Sequence, residues 1–193
     1  SIAISNRFSV GALEEIYRGI KEACNLYNVD LVGGDTSSSH KGLIINVSIY
    51  GQTEKGQLAL RKGAKAGDLL CVTGDLGAAY LGLQLLELEK RIFQENPQIQ
   101  PNLDGHEYIV SRFLHPVARF DVIKLLRELK ILPTSMIDIS DGLSSEIWHL
   151  SKHSKVGFIV EESALPIANE AQLMALEFNI DPVTCALSGG EDY

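Results

Sequence analysis

The sequence predicts a mixed fold of the α/β (α+β) class, because helical and strand patterns alternate along its 193 residues. The clearest helical pattern covers residues 9–27, where Leu13, Ile16 and Ile20 recur on one helix face. The clearest strand pattern covers residues 42–51, which are apolar on much of both faces, as in a sheet covered on both sides. A composition of 45% hydrophobic and 22% charged residues is that of a globular chain with ample core.

The other elements follow from the same periodicities and from turn residues. Residues 1–5 alternate like a strand, and a short strand is predicted in 30–35 before two glycines. Further strands are predicted at 69–72, 135–139 and 156–160, with another beginning at 185–187. Helices are predicted within 73–90 and at 107–113, 119–129, 142–153 and 169–178. Residues 96–105 are rich in Pro, Asn and Gly and predict a loop.

The chain is predicted to contain parts of two domains. Residues 54–68 have the charge and glycine content of a crossing loop, so the boundary is placed there, giving domains 1–55 and 56–193. The chain opens on a strand pattern and ends on LSGGEDY, residues 187–193, which has the character of a site. We therefore expect an interior piece of a larger protein.

Composition also bounds the partners. A net charge of -8 with no basic run argues against a nucleic-acid surface, and no apolar stretch approaches the roughly 18 residues of a membrane helix. Three widely spaced cysteines without a CxxC pair disfavour zinc and a disulfide framework, so a cytoplasmic location fits best. Phosphate ligands stay possible, because carboxylates can hold divalent cations that face phosphates.

Three segments place carboxylates directly after predicted strands: LVGGDTSSSH at 31–40, MIDISDGL at 136–143 and SGGEDY at 188–193. Each has a purely structural alternative. Asp35 could bond its own backbone in a polar connection, Asp141 could cap a helix, and the third segment could be a turn or an artefact of truncation. Capping does not account for Asp138, and carboxylates at i and i+3 across a turn can face one pocket. Together the segments predict a carboxylate-lined metal–phosphate site.

Other candidates are weaker. VTGDLGAAYLGL at 72–83 lacks the GxGxxG spacing and predicts a tight turn with close helix packing. Arg61 and Lys62 could bind phosphate, the alternative being that both are solvated. His149 and His153 have an i, i+4 spacing that zinc enzymes use, but a metal role is disfavoured without a third ligand. Trp148 is predicted in the core.

The ordered set GGDT at 33–36, RKGAKAGD at 61–68, VTGDLGAAYLGL, IDISDGL at 137–143 and LSGGEDY closely resembles bacterial thiamine-monophosphate kinases. These belong to the superfamily of aminoimidazole ribonucleotide synthetase and selenophosphate synthetase. The resemblance implies that superfamily's two-domain fold. Residues 1–55 would be the C-terminal part of an N-terminal α/β dimerisation and ATP-binding domain, and 56–193 an incomplete C-terminal α/β domain. It also implies a homodimer, with 42–51 as a candidate interface strand.

The activity implied by the resemblance is phosphorylation of thiamine monophosphate by ATP with Mg²⁺. The implied ATP contacts are Gly34, Asp35, Arg61 and Ser140, the implied magnesium ligands are Asp35, Asp138 and Asp141, and the implied substrate contact is Glu191. No side chain is assigned as a general base, because the acceptor is a phosphate oxygen that is already anionic near neutral pH. The chain departs from the family pattern at Ser38 and His40 after GGDT, and at Ala118 in HPVAR, which affects local loop shape.

Two alternatives stay open. One is another ATP-using member of the superfamily, acting on selenide or a purine precursor. The other is a non-catalytic nucleotide-binding or dimerisation module that kept the fold.

Overall fold

The computed structural model describes residues 1–193, which divide into two compact units, Ser1–Glu54 and Lys55–Tyr193. We call them unit 1 and unit 2. The division lies beside residue 55, where the charge and glycine content place the domain boundary. The assignment of the units to a dimerisation domain and an incomplete C-terminal domain stays a prediction.

Unit 1 is a three-stranded sheet with one helix. Its elements are β1 (Ile2–Ile4), α1 (Val10–Tyr27), β2 (Thr36–Ser38) and β3 (Ile44–Ile45). The strand order is β2-β1-β3, with β1 parallel to β2 and antiparallel to β3. The helix α1 connects the two parallel strands, as a crossover connection requires. The predicted strand at 1–5 is confirmed.

The predicted helix at 9–27 is also confirmed, and local chemistry sets both of its ends. Ser9 is the N-cap, where its Oγ accepts a hydrogen bond from the N–H of Ala12 at 3.1 Å. Asn28 ends the helix in the left-handed conformation, with φ of 52°, which Asn tolerates better than most residues.

Two strand predictions in unit 1 are wrong. Only Ile44–Ile45 of the predicted strand at 42–51 pairs, because β1 offers a ladder of three residues and no other strand lies beside it. Tyr50 is 91% exposed and Val47 and Ile49 are also exposed, so the predicted cover on both faces is wrong too. Residues 30–35 form no strand, and pairing begins after them, at β2.

Unit 2 is helical. Its elements are α2 (Ala78–Glu95), α3 (Glu107–Leu114), α4 (Phe120–Glu128), α5 (Leu143–Ser154), a short 3₁₀ turn (Glu162–Ala164), α6 (Asn169–Glu177) and α7 (Pro182–Ser188). All five helices predicted in this region are confirmed. None of the helices of either unit combines the length and apolar character that a bilayer crossing demands.

The four strands predicted in unit 2 are wrong. Residues 69–72, 135–139 and 156–160 are irregular, and 185–187 lie inside α7. Leu69 is 89% exposed, so an apolar run here did not imply a buried strand. Short apolar runs do not distinguish a strand from a helix or a packed loop by periodicity alone. A single backbone hydrogen bond of 2.9 Å, from Met136 N–H to the Leu60 carbonyl, links two of the extended stretches.

The core of unit 2 lies among α2, α3, α6 and α7. Its buried residues are Ala78, Leu81, Leu85, Ile109, Ala171, Met174, Ala175 and Cys185. Gly82 allows α2 and α3 to approach closely, because a Cβ there would lie 2.5 Å from the Ile109 carbonyl oxygen. A second buried cluster of Leu76, Leu143 and Ala186 joins the starts of α2 and α5 to α7. This second cluster fixes the segments that carry the candidate site.

The prediction that Trp148 belongs to the core is wrong. The side chain lies on α5 and is 57% exposed. The Lys152 ammonium sits 4.8 Å from its ring centroid, and the His149 ring meets it edge-on at 5.4 Å.

Candidate functional site

Two short segments of unit 2 meet at the start of α5. We call residues 138–141 the acidic loop and residues 189–193 the GGEDY segment. Gly190 has φ of +73°, and a Cβ there would lie 2.5 Å from the Ser140 carbonyl oxygen. Gly142 has φ of +105°, and a Cβ there would lie 2.7 Å from the Leu187 carbonyl oxygen. Glycine is therefore required at Gly190 for the two segments to touch, and at Gly142 for the end of α7 to approach the start of α5.

A chain of polar contacts runs through the acidic loop. Tyr193 Oη donates to Ser140 Oγ at 3.2 Å, and Ser140 Oγ donates to Asp138 Oδ2 at 2.9 Å. Arg61 Nη2 lies 3.6 Å from Asp138 Oδ1, with both side chains more than half exposed. An exposed ion pair contributes little to stability, so both groups stay available to an external ligand. The structure thus brings three predicted site residues together.

The alternative role of Asp141 as a helix cap is wrong. The N-cap of α5 is Gly142, and no side chain caps it. The N–H of Asp141 donates instead to Glu146 Oε1 at 3.1 Å. Glu146 is a buried residue of α5. Glu146 therefore supplies the carboxylate at this turn, and the Asp141 side chain stays exposed.

Glu191 has an unusual backbone. Its φ is +60°, a left-handed conformation that glutamate rarely adopts, and its N–H donates to the Ser140 carbonyl at 2.9 Å. The side chain is exposed beside the acidic loop. A residue persists in such a conformation only when its surroundings hold it there.

Gly34 and Asp35 lie in unit 1, at the entry to β2. Both are exposed, and no atom lies within 4 Å of where a Cβ of Gly34 would be. The Asp35 carbonyl accepts a hydrogen bond from Ile2 N–H at 2.8 Å, so its backbone is part of the sheet edge. The five remaining predicted site residues, Arg61, Asp138, Ser140, Asp141 and Glu191, all belong to unit 2.

Asp192 lies beside the acidic loop, and its sequence context assigned it no role. It is only 3% exposed, and its Oδ2 accepts a hydrogen bond from Gly77 N–H, at the start of α2, at 2.8 Å. Burial raises the pKa of Asp192 to about 6, against the opposing effects of the Gly77 and Ala79 amides and of Arg112. Its neighbour in sequence, Glu191, is exposed, so the two adjacent acids have opposite environments.

A second polar group lies beside Asp192. Tyr108 Oη donates to Asp75 Oδ1 at 2.6 Å, and Arg112 Nε lies 3.4 Å from the same oxygen. Arg112 also donates to the backbone carbonyls of Asp75, at 3.1 Å, and Tyr193, at 3.4 Å. Burial and the Asp75 carboxylate raise the pKa of Tyr108 to about 12. The local sign of this polar group in the sequence is Asp75 in VTGDLGAAYLGL, a segment whose pattern predicts only a tight turn with close helix packing.

Comparison with known proteins relates this arrangement to a family. Residues 1–53 match the family "AIR synthase related protein, N-terminal domain". All 193 residues align with the thiamine-monophosphate kinases of Aquifex aeolicus and Bacillus subtilis, at 33% identity to each. The chain is similar to the thiamine-monophosphate kinases over its whole length. It spans 58% of the Aquifex kinase and 55% of the Bacillus kinase.

The fold comparison agrees. The whole chain superposes on 57% of AaThiL complexed with AMPPCP and TMP, with a TM-score of 0.81 and 28% identity. The predicted resemblance to thiamine-monophosphate kinases and the predicted α/β fold class, like that of aminoimidazole ribonucleotide synthetase, are therefore confirmed. Which residues of this chain bind ligands stays a prediction.

The donor chemistry of the acidic loop suits Mg²⁺. Asp138 and Asp141 offer carboxylate oxygens, and Mg²⁺ commonly takes one or two carboxylates together with substrate phosphates and water. No cluster of three or more His, Cys, Asp or Glu side chains forms a self-sufficient metal site. The pair His149 and His153 forms no such site either, because their rings stack with centroids 6.5 Å apart and no third ligand lies with them. A cation here would therefore depend on phosphate oxygens of a ligand.

Proposed function

We propose that the complete protein transfers the γ-phosphate of ATP to thiamine monophosphate, giving thiamine diphosphate and ADP. The proposal is supported by alignment of the whole chain with two proteins of that name. It is also supported by the solved neighbour, which carries AMPPCP, an ATP analogue, and TMP. Because the chain spans little more than half of these relatives, the activity is proposed for the complete gene product.

The observation that carries the proposal is the interlock of the acidic loop with the GGEDY segment. It holds the Glu191 backbone against Ser140 and so brings the exposed residues Asp138, Asp141 and Glu191 into adjoining stretches of chain, with the Arg61 guanidinium 3.6 Å from Asp138. Phosphate-to-phosphate transfer must bring two polyanions together, so charge neutralisation and alignment are what the protein has to provide. Acids that hold cations, beside an arginine, meet that need.

The proposed roles follow. Arg61 and Ser140 contact the nucleotide, Asp138 and Asp141 hold magnesium, and Glu191 meets the thiamine moiety. In unit 1, Gly34 lies against ATP, and Asp35 contributes to magnesium and ATP binding. Magnesium, when bound, would offset the negative charge on the phosphate oxygens.

The transfer itself is proposed to be in line. A phosphate oxygen of thiamine monophosphate forms a bond to the γ-phosphorus of ATP while the bond to the β–γ bridging oxygen breaks, and ADP leaves. The acceptor oxygen is already anionic near neutral pH, so no proton has to be removed by a side chain. Arg61 and the acidic loop would act by orienting and neutralising the phosphates.

A homodimer and a cytoplasmic location are part of the same proposal. Exposed apolar side chains at Val47, Ile49 and Tyr50 support a contact surface within the predicted interface region of unit 1. Sedimentation equilibrium of the complete gene product would measure the mass of the assembly. A monomer at micromolar concentration would contradict the dimer.

The activity is tested by ADP release from the complete gene product with thiamine monophosphate, selenide or an aminoimidazole precursor as acceptor. The double variant Asp138→Asn plus Asp141→Asn is expected to lose turnover by at least about 100-fold, since two proposed cation ligands are removed. A matched control is Asp121→Asn, which alters an exposed acid paired only with Arg119 on α4. Wild-type protein without thiamine-monophosphate-dependent turnover would overturn the proposal, and turnover with another acceptor would replace it.

The same double variant addresses the non-catalytic alternative. Calorimetry with Mg²⁺ and an ATP analogue should show weaker nucleotide binding by the variant at unchanged thermal stability. If the variant binds nucleotide as the wild type does and only melts earlier, the acids are structural and the metal–phosphate site is refuted.

A further inference from the structure

Asp192 occupies a position where a carboxylate is costly. The residue is only 3% exposed, and its Oδ1 has no hydrogen-bond partner. An asparagine could accept the same hydrogen bond from Gly77 N–H without carrying a charge into the interior. Buried charges that a neutral isostere could replace are candidates for a functional role.

The anchor of Asp192 is rigid. Gly77 is the N-cap of the 18-residue helix α2, with φ of +84°. A Cβ at Gly77 would lie 3.0 Å from the carbonyl carbon of Cys185, so the start of α2 is pressed against α7. A charge-assisted hydrogen bond to this amide is shorter and stronger than a neutral one, and the helix N-terminus favours the negative charge. The carboxylate is thus tied to a fixed point of the core.

The residues on either side of Asp192 face the acidic loop. Glu191 on one side holds a left-handed backbone and donates its N–H to the Ser140 carbonyl, while Tyr193 on the other donates to Ser140 Oγ. Arg112 adds a contact to the Tyr193 carbonyl. Asp192 is buried between two exposed residues, so its hydrogen bond to Gly77 constrains the stretch of backbone that all three share.

We propose that Asp192 is a positioning residue, whose carboxylate fixes the backbone of Glu191 so that the Glu191 side chain meets the organic part of the phosphate acceptor. The inference rests on the proposed function. It predicts that loss of the charge weakens recognition of the acceptor and leaves recognition of ATP and the transfer step nearly unchanged. The charged groups facing Asp192 are Arg112 and Asp75. Both are unchanged in the wild type and in the variants used below.

The test uses Asp192→Asn in the complete gene product. The variant is expected to raise KM for thiamine monophosphate by about tenfold, with KM for ATP and kcat changed less than about threefold. The matched control is Asp181→Ala, because the Asp181 carboxylate caps α7 by accepting hydrogen bonds from Thr184 N–H at 2.8 Å and Thr184 Oγ1 at 2.9 Å, at the end of α7 away from the GGEDY segment. That control lowers stability at α7 and should leave both KM values unchanged. Equal effects of the two variants, or no change in KM for the acceptor, would overturn the inference.

A pH profile separates positioning from a merely structural role. Below its pKa of about 6 the wild-type Asp192 is protonated and resembles the variant. The ratio of wild-type to Asp192→Asn kcat/KM for the acceptor should therefore fall from about ten at pH 7.5 toward one at pH 5. Titration of the substrate phosphate cancels in this ratio. A ratio that stays constant over that range would contradict the role assigned to the charge.

A measurement on the wild type keeps the inference testable if Asp192→Asn does not fold. Amide hydrogen exchange at Glu191, corrected for intrinsic rates, should lose protection as the pH falls from 7.5 to 5, because protonation weakens the bond to Gly77. Unchanged protection would overturn the inference. This exchange measurement requires no kinase activity, so a failure of the proposed function is recognised separately, by the absence of turnover in the wild type.

Discussion

Replacing Asp192 by asparagine should change the pH dependence of stability, in a direction set by the burial of its carboxylate. Folding raises the pKa of Asp192 from 3.8 to about 6, a shift of about two units. Each unit corresponds to about 1.4 kcal/mol, so the buried charge lowers the free energy of unfolding by about 3 kcal/mol once it is ionised. The folded protein binds this proton more tightly than the unfolded chain does. The stabilisation that comes from the tighter binding of this proton by the folded protein is therefore complete below about pH 4 and is lost as the pH rises through 6.

The assay is urea unfolding followed by far-UV circular dichroism at pH 4, 5, 6 and 7.5, for wild type and Asp192→Asn. Other titrating groups cancel in the difference between the two proteins. Relative to the wild type, the variant should gain up to about 3 kcal/mol between pH 4 and pH 7.5. A difference that is independent of pH would refute the reasoning, because it would mean that the carboxylate is not desolvated in the folded protein.

Two further predictions concern the support of the site. Gly190→Ala should lower the free energy of unfolding by roughly 2–4 kcal/mol, because φ is +73° and the added Cβ would meet a backbone oxygen of the acidic loop at 2.5 Å. Thermal unfolding measures this loss. The control is Gly157→Ala, because no atom lies within 4 Å of where a Cβ of Gly157 would be. If both variants melt alike, the close approach of the two segments is wrong. Tyr108→Phe should lower the free energy of unfolding by about 1–3 kcal/mol in a urea titration, since a partly buried carboxylate oxygen of Asp75 loses its donor. Tyr50→Phe is the control, because Tyr50 is 91% exposed and its substitution should cost nothing measurable. A neutral Tyr108→Phe would show that Arg112 alone satisfies that carboxylate.

Helices were predicted well because their signals are local. The apolar stripe of α1 and its Ser9 cap both lie within one stretch of chain. Strands were predicted poorly, because a strand forms only where another segment offers its backbone. Residues 42–51 have a strand pattern, but β1 pairs with only two of them. The start of α7 was a missed local signal, since Asp181 and Pro182 are a typical N-cap and first helical residue.

For this protein the sequence alone determined the resemblance to thiamine-monophosphate kinases, the mixed fold class, six of the seven α-helices and a set of acids with candidate roles. It did so because the motifs and the helical periodicity are properties of contiguous residues. The tertiary structure decided which acids are free to act. Asp138 and Asp141 are both exposed, Asp138 lies beside Arg61, and the N–H of Asp141 donates to the buried Glu146 while Gly142 is the N-cap of α5.

Glu191 and Asp192 show most directly what the tertiary structure added. They are adjacent acids in one motif, and no local pattern distinguishes them. Asp192 is buried against the start of another helix, where its carboxylate accepts a hydrogen bond from the Gly77 amide. Gly77 lies 115 residues earlier in the chain. Burial depends on such distant partners, so only the folded chain separates the exposed acid from the one that holds it in place.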